Sequence, residues 1–415
     1  MKSVTFVNAA ARAATSATAQ QTAGAAGDGL TADLTAGWRP RTWLGAPAPG
    51  GLALPAAQPT AAWLYAPRGV HLGVYKGREV LVAADTGNHR VLIWHGLPDR
   101  DEQPCDVVLG QPDEFSEGPA AGAGDTRTGL HLPTGVLVHD GKLIVADAWH
   151  HRVLIYDELP QAPGAVPDLV LGQRDLDSVA PNAGGGPTAL TMYWPFGIAI
   201  AGGRFYVADT GNRRVLGWSG GLPASPDTAP DVILGQPDGT SREENRGAAP
   251  GGDSFRWPHA VAGTGDALYI ADAGNHRVLG WAARPDRDRP ADLVLGQPDF
   301  TSASELPYGP QGPSALRFPY AVDADSDTFA VADTANNRIL LWDSTAMAGA
   351  TTPDAGGGPG ATAVLGQPGF GPNGENRWSG VTRDSLCWPY GLSLAGGRLA
   401  VADSGNNRVV IWERG

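Results

Sequence analysis

Cysteine is almost absent: of 415 residues only Cys105 and Cys387 carry a thiol, too few for a disulfide framework or a zinc ribbon. Two lone thiols fit a reducing compartment. Lysine is nearly as scarce, with Lys2, Lys76 and Lys142 alone. With 30 basic against 43 acidic side chains, the formal net charge is −13. The clustered cations that phosphate-backbone binding needs are missing, so no nucleic-acid partner is expected. No run of 18 apolar residues occurs, so no membrane-spanning helix is expected either. Charged residues make up only 18% of the chain, while 42% is apolar. That leaves ample material for a core and excludes a disordered acidic tail.

What the chain has in abundance is glycine (58) and proline (35), the signature of many tight turns and few long helices. These turns recur. The string Ala-Asp-Thr-Gly-Asn-His-Arg-Val-Leu-Ile-Trp, ending at Trp94, returns in recognisable form five more times. Its aspartates are Asp85, Asp147, Asp209, Asp272, Asp333 and Asp403, spaced 62, 62, 63, 61 and 70 apart. An arginine follows each by five positions (Arg90, Arg152, Arg214, Arg277, Arg338, Arg408), and an aromatic by nine (Trp94, Tyr156, Trp218, Trp281, Trp342, Trp412). Two further motifs share the period. Leu-Gly-Gln begins at Leu109, Leu171, Leu234, Leu295 and Leu365, and Pro-x-Gly/Ala begins at Pro67, Pro133, Pro195, Pro258, Pro319 and Pro389. Each unit thus holds four short β runs bounded by Gly, Asn or Pro, as in a meander.

Four-stranded units at fixed spacing predict an all-β fold, a six-bladed β-propeller of antiparallel blades. The sixth unit ends at Gly415 with no fourth strand left, whereas Arg41–Pro47 mimics the fourth-strand motif. The N-terminal segment is therefore expected to complete the last blade and close the ring, removing an open sheet edge. The units resemble NHL repeats over roughly residues 41–415. That resemblance implies the propeller fold and says little about function. The domain reading is an Ala/Thr/Gly-rich extension over 1–37 and a propeller over 38–415. The stretch Ser3–Ala14 contains Asn8 and Arg12 and is too polar for a signal-peptide core, so a cytoplasmic protein is expected.

In a propeller the insertions (46–63, 111–130, 173–190, 236–254, 297–315, 367–385) and the Thr-Gly-Asn-His turns share one face. Their similar lengths read as common decoration as readily as a ligand-shaping surface. The Asp/Arg pairs, present in every unit, read as structural ties. His89, His151 and His276 fill one consensus slot, expected on outer turns too far apart for a metal. The acidic run Asp323–Asp327 lacks the glycine and distant glutamate of a calcium loop and reads as a solvated hairpin turn. No cofactor is predicted, although a divalent metal stays open.

Departures from the repeat carry more information, because symmetry does not require them. In the second unit Trp149 and His150 replace Gly and Asn. Here the tryptophan takes the place of a glycine expected to supply a positive φ. The pair reads either as a stacking platform with an adjacent imidazole or as a locally altered turn. After the six prolines come Arg68, Thr134, Phe196, His259, Tyr320 and Tyr390, near the mouth of the central channel. One cation, one imidazole and two phenols among apolar walls suit a pocket for a small aromatic or anionic molecule. They also suit a plug bonded to trapped water. Asp323 departs from a slot that elsewhere holds His71, Leu137, Ala199, Ala262 and Ser393.

Two functions stay open. One is a binding scaffold for a small molecule or protein segment, using Arg68, Trp149, His150, Phe196, His259, Tyr320, Asp323 and Tyr390. The other is a propeller enzyme (lyase, hydrolase or cyclisation catalyst) with His259 as base, Arg68 stabilising negative charge and the tyrosines orienting substrate. The peptidyl-amidoglycolate lyase propeller resembles this fold, and the resemblance implies zinc histidines after the inner-strand prolines. Only Pro258-His259 meets that pattern here, and one ligand cannot hold a catalytic zinc.

Overall fold

The computed structural model describes residues 33–46, 58–122, 124–305, 311–347, 349–352 and 357–415. The expectations for residues 1–32, including the signal-peptide question, lie outside them. In the first blade, β2 (Gly69–Tyr75) pairs antiparallel with β3 (Arg78–Asp85), β3 with β4 (Arg90–Trp94), and β4 with β5 (Val107–Leu109). Six such four-stranded sheets form the compact unit Leu34–Gly415. Among the described residues no helix is long and apolar enough to cross a membrane.

Ring closure comes from β1 (Trp38–Gly45), which pairs with the last strand, Arg408–Arg414, from Trp38 opposite Arg414 to Gly45 opposite Arg408. The order in that sheet is β1, Arg408–Arg414, Arg398–Asp403, Pro389–Ala395. The N-terminal strand thus supplies the fourth strand that the last repeat lacks. Gly45, at φ +106°, sits where Gly110 and Gly172 sit in their own units, at +94° and +88°.

Both faces of each blade are covered, which is why the middle strands read as unbroken apolar runs. Along β3, Val80, Val82 and Ala84 enter the seam against the second blade, while Leu81 and Ala83 enter the seam against the sixth. Six apolar seams follow around the ring, one between each pair of neighbours. The Pro-x-Gly/Ala motif marks where blades touch most closely. A Cβ on Gly69 would lie 1.8 Å from the Thr134 carbonyl oxygen, and one on Gly197 would lie 2.3 Å from that of His259. Only very small residues fit where one inner strand rests on the next.

Candidate functional site

The repeated charges form a buried fastening, as their presence in every unit requires. Asp209 is fully buried. One carboxylate oxygen accepts the Tyr193 amide (2.8 Å), and the other accepts Asn212 Nδ2 and Arg214 Nε (both 2.8 Å). Arg214 then donates to the carbonyls of Gly239, Thr188 and Thr191, at 2.7, 2.7 and 2.8 Å. The arginines of the first five blades so tie down the insertions on both sides, while Arg408 holds only the Thr382 and Ser385 carbonyls among the described residues. The Leu-Gly-Gln glutamines act alike: Gln173 Nε2 donates to the carbonyls of His150, His151 and Ala180. Aspartate-headed turns recur inside the insertions, with Asp175 Oδ1 accepting the Ser178 amide and Asp238 Oδ1 that of Ser241. That repetition marks the insertions as common decoration.

Two local expectations need correction. The turn glycines carry no positive φ; the left-handed residue is the next but one, His89 at 55° and His151 at 57°. Close packing favours glycine there, since a Cβ on Gly211 would lie 2.4 Å from the Tyr193 carbonyl oxygen, although Trp149 and Ala335 hold the slot in blades two and five. Nor do the consensus histidines stay on outer turns. His89 Nδ1 accepts the Leu132 amide, His151 Nδ1 that of Trp194 and His276 Nδ1 that of Phe318, at 3.1 to 3.2 Å. Asn337 and Asn407 do the same for Trp388 and Ala66. The slot caps the start of the next blade's inner strand. No group of three metal-binding side chains occurs among the described residues.

The six residues that follow the prolines do converge on the axis. Together with the inner strands they line a cavity of about 230 Å³. Five of them form a continuous stack around it. The Arg68 guanidinium lies 4.8 Å from the Tyr390 ring centroid, and Tyr390 lies 4.5 Å from Tyr320, nearly parallel at 10°. Tyr320 is 4.4 Å from His259, and His259 is 4.5 Å from Phe196. Thr134 turns aside, its hydroxyl donating to the Phe196 carbonyl at 2.8 Å. His259 Nδ1 lies 2.9 Å from the Trp257 carbonyl oxygen and so carries the proton, leaving Nε2 as the acceptor.

A second ring lies deeper: His71, Leu137, Ala199, Ala262, Asp323 and Ser393. Its polar members reach across to the next blade. Asp323 Oδ2 accepts the Leu394 amide (2.8 Å), Ser393 Oγ accepts the Leu72 amide (3.1 Å), and His71 bonds to the Val138 backbone. Blades five, six and one therefore present Tyr320, Tyr390, Arg68, Asp323, Ser393 and His71 to the cavity. Phe196, Leu137, Ala199 and Ala262 come from blades two to four, with Thr134 and the neutral His259 as the polar members there. The bore is polar along one arc and largely apolar along the other. The remainder of the acidic run is a turn closed by Asp325 Oδ1, which accepts the amides of Asp327 and Thr328.

Sequence reasoning missed a third ring, the residues that precede the prolines. In blades three to six these are Trp194, Trp257, Phe318 and Trp388, all half-buried. Trp194 lies 6.1 Å from His259 and 6.3 Å from Phe196, which joins it to the axial stack. The signal was present as an aromatic before four of the six prolines, broken by Ala66 and Leu132. Trp149, 47% exposed, meets Trp194 edge-on at 6.2 Å and belongs to this rim. His150 does not face the bore. It is 5% exposed, and its Nδ1 lies 2.8 Å from Asp147 Oδ2, the place asparagine holds in the other blades.

Burial sets the protonation of these groups. His71, His89 and His151 fall from 6.5 to about 4, and His259 to about 3. Desolvation is the leading cause for each, with the Arg68 charge a smaller addition at His259. Asp323 moves the other way, raised by burial from 3.8 to about 6. The unfolded chain takes protons on these imidazoles near pH 6.5 and the folded chain only near pH 3 to 4. Their stabilising effect is thus complete above pH 6.5 and is lost as pH falls towards 4. Asp323 opposes this, since the folded state binds its proton first, as do Asp85, Asp209, Asp288 and Asp403, raised by burial. His131 and His276, lowered by burial, add to the histidine side, whose window opens at the higher pH. The urea midpoint is expected to hold above neutrality and drop between pH 6.5 and 4, with a shallower drop in His259→Gln.

Both cysteines are free, and burial pushes each thiol up to about 12, so neither is a poised nucleophile.

Comparison with known proteins places the NHL repeat model on residues 386–412, within the last blade. No curated protein sequence matches the chain. Among solved structures, the WD40 β-propeller domain of Doa1 aligns at 11% identity and TM-score 0.43, over 91% of this chain and 98% of that one. A catalytically inactive virginiamycin B lyase from Staphylococcus aureus, with quinupristin, aligns at 10% identity and TM-score 0.42, over 87% and 97%. Raptor of Chaetomium thermophilum aligns at 13% identity and TM-score 0.42, over 92% of this chain and 29% of that one. None of these likenesses bears on what this chain binds.

Proposed function

We propose, from the premise that the chain is an NHL-repeat six-bladed β-propeller, that it is a binding scaffold holding a small molecule in its axial cavity. One observation carries this reading: a ring assembled from near-identical blades has an asymmetric bore, polar along blades five, six and one. Structural repetition gives no reason for that asymmetry, whereas a pocket with a few polar groups set among apolar walls does. A small molecule fits better than a protein segment, because the polar groups lie inside the bore and not on the insertions. Arg68, Phe196, His259, Tyr320, Tyr390 and Asp323 are the contacting residues in this reading. Trp149 sits at the rim, and His150 acts through the turn it fastens. The enzymatic alternative needs a proton acceptor. His259, held near pKa 3, is a weak base at neutral pH, and no observation favours a lyase, hydrolase or cyclisation role.

A thermal-shift screen of small molecules tests the reading. Hits should raise the melting temperature of the native chain and have no effect on Ala199→Phe, which fills the bore from its apolar side. Ala262→Leu is the milder companion if that variant folds poorly. Hits that stabilise both variants as well as the native chain would place binding elsewhere.

A further inference from the structure

We propose that the axial site takes a small organic carboxylate, its charge on Arg68 and its ring or hydrocarbon body against Tyr390 and the apolar arc. This rests on the cavity reading above and adds the chemical class of the occupant.

Arg68 differs from the arginines around it. The six repeat arginines each hold an aspartate at 2.7 to 3.0 Å. Around the bore mouth, Arg256 and Arg317 face Glu244 and Glu305 at 3.3 and 2.7 Å. Arg68 has no carboxylate and no carbonyl partner among the described residues, and its Nε is buried without an acceptor. Its only neighbour of note is the face of Tyr390, which leaves the N–H groups unused. Arg68 is half-buried, and its terminal N–H groups stay open to the cavity, where an anion can reach them. Nothing else on the wall pairs with them. His71 and His259 are neutral through burial, and both oxygens of Asp323 are engaged by backbone amides of Leu394 and Ala324. Asp323, a carboxylate at neutral pH, lies in the deeper ring and makes no ion pair with Arg68. The mouth of the cavity thus holds one guanidinium without a direct partner, and its fork geometry suits a carboxylate.

Three features favour an organic monoanion over phosphate. A single cation is present, where a dianion calls for more. The opposite arc (Phe196, Leu137, Ala199, Ala262) offers apolar contact that an inorganic ion cannot use. The volume of about 230 Å³ exceeds the roughly 150 Å³ that suffices for benzene, leaving room for one ring and a carboxylate.

Isothermal titration of the full chain with benzoate, benzamide and inorganic phosphate at constant ionic strength tests this. Benzoate is expected to bind at least roughly tenfold more tightly than benzamide, the scale of a charge-assisted pair, and phosphate not measurably. Arg68→Gln should erase the preference without moving the melting temperature, and Arg68→Lys should keep part of it. Tyr390→Leu should weaken benzoate and benzamide together. Equal affinity for benzoate and benzamide, unchanged benzoate binding in Arg68→Gln, or phosphate binding as well as benzoate would each overturn the carboxylate inference. So would failure of benzoate to bind at all. If neutral hits from the screen are still lost in Ala199→Phe, the cavity reading survives that failure; if they are not, both fall.

Discussion

Asp209→Ala is expected to cost about 3–5 kcal/mol, the usual penalty for stripping one partner from a buried ion pair. The carboxylate is wholly buried and receives the Tyr193 amide, Asn212 Nδ2 and Arg214 Nε. Alanine leaves the Tyr193 amide and Arg214 Nε without an acceptor, takes one of two acceptors from Asn212 Nδ2, which keeps Asn182 Oδ1, and strips a guanidinium of its counter-charge. Arg214 also fastens two insertions through Gly239 and Thr188, so the damage should spread to the loop face of the third blade. Asp209→Asn keeps the shape and should fall between the two. The check is equilibrium urea unfolding: a lower midpoint with unchanged slope is expected. A midpoint within experimental error of the native value would show that the fastening adds nothing.

Removing residues 1–46 is expected to have a still larger effect, the loss of the soluble folded state. The deletion takes away β1, whose Trp38 and Leu44 are almost wholly buried. It also uncovers the outer edge of Arg408–Arg414. Burying a large apolar side chain contributes about 1.5–3 kcal/mol, and Trp38, Trp43 and Leu44 are three of them. A domain's net stability is only about 5–15 kcal/mol, so the loss is comparable with all of it. The bared strand edge also invites association between chains. Size-exclusion chromatography should show aggregate, and an added peptide spanning residues 38–46 should recover monomer. A truncated chain that stays monomeric and melts like the native one would contradict closure by β1.

Sequence and structure agreed where a motif is local and repeated. Asp, Arg and Trp recur at fixed offsets because they belong to one turn and its two strands, so six units, four strands each and the borrowed strand, signalled by Arg41–Gly45 and observed over Trp38–Gly45, could all be read directly. The two rings facing the bore were legible by counting from each proline. What escaped notice depends on neighbours that are distant in the chain. That His150 takes an asparagine's place is visible only once Asp147 lies beside it. The left-handed position of the turn falls on His89 or Asn407, residues that glycine rules do not point to. The pre-proline aromatics form a rim only because blades three to six stand side by side; in the sequence, Ala66 and Leu132 interrupt the pattern. The division of the bore into polar and apolar arcs is likewise a product of ring order, since blade six adjoins blade one.

The most direct test of the account is the structure of the protein crystallised and soaked in benzoate. The expected result is the carboxylate paired with the Arg68 guanidinium and the ring against Tyr390 inside the bore. Benzoate found only among the insertions, with the Arg68 side chain still unpaired beside an empty axis, would contradict it.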